Sequence, residues 1–321
     1  LAVLLMVVNI VASDAVLGAR NWLEFGGFSF QPSELVKVGY IYAGASTLDR
    51  LYRRNNLYTF IGFSAFCVIA LALIGDFGTA LIFFATFLVI SYLRSGSIAT
   101  VLLAVTGAGL AGFLAVSVKP YIAQRFATWG HAWEDIYDKG FQQTRAMSAA
   151  ASGGLYGKGA GGGWLKDIFA ANTDMVFAVI CEEQGLIIGL IMVLAVLVLA
   201  FFAVRSARRG RSAYYSIAAC AAMSMLLVQL ALNVFGSLDL LPFTGVTFPF
   251  VSRGGTSLIS CWMLMAFIKS SDTRRNASFA VRPGRGKDDD EAEDDTPGAS
   301  DNGYAPDDDP ANWEVWQPCE K

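Results

Sequence analysis

Asp174 stands where a carboxylate can do chemistry, heading the apolar run Met175–Val204 directly after a polar, glycine-rich stretch that ends in Asn172 and Thr173. At the mouth of a membrane helix such a group can take a proton at a lipid–water boundary. Helix capping is the competing reading, because an aspartate in a first turn complements the helix dipole. Other charged residues raise the same choice. Glu34 and Lys37 follow Gln31-Pro32-Ser33 on one face of a helix and are expected to pair, although charge inside a membrane is costly enough to suggest function. Glu182 and Glu183 fall about 12 Å below Asp174 at helical rise, and at least one of them needs a cation within the bundle. Asp76, in Asp76-Phe77-Gly78-Thr79, either caps a helix or faces the same cavity as Asp174. Gly157-Lys158-Gly159-Ala160-Gly161-Gly162 fits GxGxxG, but no strand is expected before it, so a dinucleotide site is rejected. Its glycines instead allow close backbone approach, with N–H groups and Lys158 free to meet an anion. The single His131 sits in a loop and reads as incidental.

Several apolar helices must position these residues. The chain is 55% hydrophobic and 16% charged, too apolar for a soluble protein of 321 residues. Stretches near 1–12, 34–48, 57–75, 78–94, 98–118, 174–204, 213–236 and 254–270 can cross, or nearly cross, a hydrocarbon layer of about 30 Å. The expected fold is therefore all-α, a polytopic membrane bundle of eight such helices with one long outer loop over 119–173. Leu1 opens inside an apolar run with no Met, so we expect the natural start and one or more helices to be missing. Basic clusters at Arg50–Arg54, Arg94, Arg205–Arg211 and Arg274-Arg275 mark alternate helix ends as cytoplasmic, which puts Asp174 outside.

Charge is unevenly distributed. Residues 288–321 hold 13 of the 27 acidic residues and one of the 24 basic ones. The first 287 residues carry 23 basic against 14 acidic, a net of +9 that suits anionic lipid or phosphate. From 271 onward the chain reads as a disordered acidic cytoplasmic tail, following a membrane domain over 1–270. Cys67, Cys181, Cys220 and Cys261 lie in apolar runs without metal-like spacing, and Cys319 lies in the tail. Neither a disulfide nor a zinc site is expected.

Taken in order, Gly18-Ala19-Arg20-Asn21-Trp22, Gly26–Glu34, Asp76–Phe83, Ser152–Gly159, Thr173-Asp174, Glu182–Leu186 and Leu241–Leu258 resemble the SEDS proteins (shape, elongation, division and sporulation), the RodA/FtsW/SpoVE family. The resemblance covers roughly 1–270; members of that family have about ten membrane helices, which implies that roughly two are missing here at the start. It implies a peptidoglycan glycosyltransferase that polymerises lipid II outside the membrane beside a class B penicillin-binding protein, with membrane lipids and no nucleic acid as other contacts. The family's essential acid falls on Asp174 and its important first-loop tryptophan on Trp22. Two departures stand out. Phe169-Ala170-Ala171-Asn172 replaces the family's usual Pro-Glu-Ala/Ser-His, and Arg253 replaces a tyrosine.

The implied reaction asks Asp174 to accept the proton of an acceptor hydroxyl while a polyprenyl pyrophosphate leaves. Positive charge must sit near that leaving group. Arg20, Lys37, Lys158, Arg125, Arg145 and Arg253 are the candidates, optionally with a divalent cation (Mg or Mn). A lipid II flippase and a non-catalytic scaffold for the transpeptidase are the alternatives. The clustering of charge at the outer face favours the enzyme over the flippase.

Overall fold

The computed structural model describes residues 2–12, 14–16, 19–25, 28–49, 54–118, 127–209 and 212–276. Its helices are α1 (Ala2–Ala12), α2 (Pro32–Asp49), α3 (Arg54–Ile74), α4 (Phe77–Ser95), α5 (Ile98–Val118), α6 (Phe141–Gly153), α7 (Ala171–Asp174), α8 (Val176–Gln184), α9 (Leu186–Arg209), α10 (Ala213–Ser237) and α11 (Gly255–Asn276). The acidic tail expected from 271 gives way at its start to α11, which runs on to Asn276; the rest of it, 277–321, lies outside the described residues. The same holds for Arg125.

α10 is the axis of the bundle and packs on α2, α4, α9 and α11. Its buried small residues Ala218, Ala219, Ala221 and Ala222 let neighbouring backbones approach closely, as packing inside a membrane requires. α9 is the opposite kind of helix, with Leu190, Ile191, Leu194, Leu197, Val198 and Phe201 all exposed, a surface that only lipid or a partner would cover. Among the described residues, three helices are apolar and long enough to cross a membrane by length and composition alone: Phe77–Ser95, Leu186–Arg209 and Ala213–Ser237. The sequence leads us to expect eight, the first cut short, and Tyr58–Ile74 and Ile98–Gly107 add shorter apolar helices. α1 falls short at 11 residues, and α2 is diluted by Glu34 and Lys37, which are buried inside the bundle.

Two features depart from the expected pattern of continuous helices and loops. A small three-stranded antiparallel sheet, β1 (Asp14–Val16), β2 (Ala19–Phe25) and β3 (Phe28–Phe30), occupies part of the first loop, with Leu23 paired to Phe30 and Glu24 to Ser29. The apolar run from Met175 is also divided. α8 stops at Gly185 (φ +90°) and α9 begins at Leu186. The break is filled from the glycine-rich stretch. Lys158 and Gly159 N–H donate to Glu182 and Glu183 O, while Leu186 and Ile187 N–H donate to Gly154 and Leu155 O. Backbone groups freed by the break therefore meet backbone groups of the loop, as burial demands. A Cβ at Gly185 would lie 2.2 Å from Leu155 O, which explains the glycine.

Candidate active site

Asp174 closes the single turn α7, and Met175 (φ −116°, ψ 20°) separates it from α8. Met175 therefore holds the N-cap position of α8, one residue after Asp174, and its own side chain makes no capping bond. The residue is half-buried. Its main chain is tied to the segment that links α10 and α11. Asn233 Nδ2 donates to both Asp174 O (2.9 Å) and Val246 O (2.7 Å). Ser252 Oγ donates to Thr173 O and accepts from Phe248 N (2.7 Å). Arg253 N donates to Asn172 O (2.9 Å). Gly245 (φ +69°) lies against the carboxylate, since a Cβ there would stand 3.1 Å from Asp174 Oδ2.

The same segment reaches the start of α4. A Cβ on Gly78 would meet Val246 Cγ2 at 2.3 Å and Thr244 Cβ at 2.9 Å. Asp76 caps α4 by accepting from Thr79 N (3.0 Å), and its other oxygen accepts from Gln31 Nε2 (3.3 Å). Burial pushes the Asp76 carboxyl up, against the Thr79 bonds and the Lys37 charge that pull it down. The beginnings of α2 and α4, the 244–253 segment and Asp174 thus meet at one end of the bundle.

The candidate cations fall into distinct settings. Lys37 is fully buried, with Nζ 2.9 Å from Glu34 Oε1 and 3.1 Å from Gln229 Oε1. Ser260 Oγ donates to Glu34 Oε2 (2.6 Å), completing the pair's shell. Lys158 Nζ meets Glu182 Oε1 at 2.9 Å, and the fully buried Glu182 also accepts from Trp164 N (3.2 Å) and Leu165 N (3.0 Å). In the glycine-rich stretch the N–H groups of Gly157, Lys158, Gly159 and Gly162 bond main-chain carbonyls, and Lys158, partly exposed, is paired with a carboxylate. Arg145 lies over the Phe141 ring at 5.3 Å. Arg253 is exposed, and its N–H bonds Asn172 O, two residues before Asp174 in the chain. Arg20 and Trp22 are in β2, and their side chains lie outside the described residues. Glu183 is half-buried in the last turn of α8, and exposed His131 contacts Trp129 O through Nδ1 (3.1 Å). Among the described residues no three His, Cys, Asp or Glu converge on one metal-sized site.

Gln229 and Asn233 are further polar residues of this site, on α10. Their signal in the sequence is a pair of uncharged amides four residues apart on one face of an otherwise apolar helix, where each polar group needs a partner.

The profile of the FtsW/RodA/SpoVE family, described as cell cycle protein, matches residues 1–277. Stage V sporulation protein E of Bacillus subtilis is 34% identical over 262 residues, 78% of this chain and 69% of that protein. The probable peptidoglycan glycosyltransferase FtsW of Escherichia coli is 33% identical over 272 residues, 80% of this chain and 65% of that protein, slightly under two thirds of its length. Among solved structures, a chain of a peptidoglycan synthase complex, reported for its structural coordination of polymerization and crosslinking, aligns with TM-score 0.66 at 26% identity over 86% of this chain and 79% of its own. A mutant of the Thermus thermophilus rod shape determining protein RodA aligns with TM-score 0.58 at 25% identity over 85% of this chain and 76% of its own.

Proposed function

The chain belongs to the FtsW/RodA/SpoVE family, and from that membership we propose that it is a multi-pass membrane glycosyltransferase that polymerises lipid II into β-1,4-linked glycan strands. The observation that carries the reading is the setting of Asp174: a half-buried carboxylate at one end of the bundle, its main chain fixed from α10 and from the 244–253 segment. A base must be held where the proton will leave, and such bracing is what general-base catalysis needs.

In the reaction, the acceptor 4-hydroxyl oxygen attacks the anomeric carbon of the donor sugar and passes its proton to Asp174. The bond to the pyrophosphate breaks with its electron pair, and the configuration at the anomeric carbon inverts. One carboxylate is enough, because the leaving group departs as an anion and needs little help from an acid, unlike in glycosidases with two. Arg253 is the described cation best situated to meet the pyrophosphate; Arg20, Arg125 and Arg145 are further candidates. Lys37 and Lys158 act first on Glu34 and Glu182. We place the acid on the outer face, because the basic residues Arg208 and Arg209 in the last turn of α9 favour the cytoplasm. A class B penicillin-binding protein would cross-link the product.

The test is chain formation from labelled lipid II by the full-length protein with its cognate transpeptidase. Glycan ladders are expected. Transfer of lipid II across vesicles without any polymer would replace this reading with transport.

A further inference from the structure

We infer that Asn233 is a positioning residue for Asp174, and that Gln229, oriented by Lys37, fixes the segment on which Asn233 also pulls. The inference rests on the glycosyltransferase reading above. It starts from hydrogen-bond direction. An ammonium can only donate, so the 3.1 Å contact from Lys37 Nζ makes Gln229 Oε1 the acceptor and turns Gln229 Nε2 the other way. That nitrogen donates to Thr247 O (3.0 Å) and Thr247 Oγ1 (2.9 Å). Thr247 Oγ1 then lies 2.7 Å from Ser257 Oγ on α11, so the link continues to a third element.

One helical turn further along the same face of α10, Asn233 repeats the device. Its Nδ2 faces two carbonyl oxygens, Asp174 O and Val246 O, and carbonyls can only accept, which settles the amide orientation. Val246 and Thr247 are consecutive, so Gln229 and Asn233 hold adjacent residues of one strand of chain while Asn233 joins that strand to the catalytic turn. Gly245, next in line, is the residue against which the Asp174 carboxylate rests. Displacing Val246 therefore moves both the main chain and the side-chain support of Asp174.

Asn233 Oδ1 separates positioning from simple stabilisation. It is buried and, among the described residues, has no hydrogen-bond partner. A buried acceptor without a partner is unfavourable, so a residue retained for stability alone would be better replaced by an apolar one of similar size. Asn233→Leu removes that orphan while also freeing Asp174 O and Val246 O, and the two effects oppose each other in stability. In catalysis they do not oppose: the tether is lost.

The experiment compares full-length wild type and Asn233→Leu, each with the cognate transpeptidase, in lipid II polymerisation, thermal unfolding and amide hydrogen exchange. We expect kcat to fall about 100-fold with KM within about twofold, the signature of a displaced reacting group rather than weakened binding. The unfolding temperature stays close to wild type, and exchange quickens over 172–176 and at Arg253, but not in α9. Unchanged kcat and unchanged exchange overturn the inference. A loss of activity that merely tracks a loss of fold also overturns it. If Asn233→Leu does not accumulate folded, Asn233→Ser takes its place with the same readouts, and failure of both to fold assigns a structural role instead. Exchange needs no turnover, so a wild type that makes no glycan refutes the glycosyltransferase reading while the exchange result still judges the tether.

Discussion

Little room surrounds the Asp174 carboxylate on the side of Gly245. Gly245 holds φ +69°, and a Cβ there would sit 3.1 Å from Oδ2. Gly245→Ala should cost about 1–2 kcal/mol for the left-handed backbone. Polymerisation should fall further than that, by about 10–100-fold, because the carboxylate must shift by a few tenths of an ångström or more. Steady-state rates and unfolding curves on the same variant check this; a rate loss no larger than the stability loss contradicts it. Asp174 itself was legible in the sequence, since a carboxylate heading an apolar run is conspicuous. Its bracing was not. Asn233, Ser252 and Arg253 bond residues 174, 173 and 172 from 59, 79 and 81 positions away, and no local pattern encodes such a contact.

Elements explain where the sequence pattern misleads. Hydropathy places most helix ends within a few residues, because the apolar runs are bounded by charged or glycine-containing turns. It runs straight through Gly185, because Met175–Val204 is apolar on both sides of the break and the groups that fill the break come from 154–159. Glu182 anchors that filling: it accepts from Lys158, Trp164 N and Leu165 N. Glu182→Leu leaves two backbone donors and an ammonium without their acceptor and should destabilise the protein by about 2–4 kcal/mol, read from thermal unfolding. An unchanged unfolding temperature would contradict this. The cap of α4 makes a pH prediction. Burial raises the Asp76 carboxyl, so the folded protein holds that proton more tightly than the unfolded chain does. The stabilisation is full at low pH and is lost as pH rises through the raised value. Wild type should therefore lose stability across that rise relative to Asp76→Asn, and parallel pH profiles of the two proteins would contradict the assignment.

Across the whole molecule, polar residues inside an apolar bundle do two things: they fasten helices together and they hold one end of the bundle in shape. Glu34 and Lys37 show the first. Both are buried, and they bond to each other, to α10 through Gln229 and to α11 through Ser260. Lys37→Met strands the Glu34 carboxylate and should cost about 3–5 kcal/mol, whereas the double change Glu34→Gln with Lys37→Met should recover much of that loss. Additive losses in the double-mutant cycle would show that the two act independently. Charge spacing alone suggested this pair, but could not reveal that its partners lie on helices some 200 residues further along the chain. The second use, holding the Asp174 end in shape, is tested most directly by lipid II polymerisation with full-length wild type and Asp174→Asn, each purified with the cognate transpeptidase proposed above. Asparagine keeps the size of the side chain and removes its capacity as a base. The account predicts glycan chains from the wild type and none from the variant, with both folded and both binding the partner. Equal polymer from both proteins would contradict it.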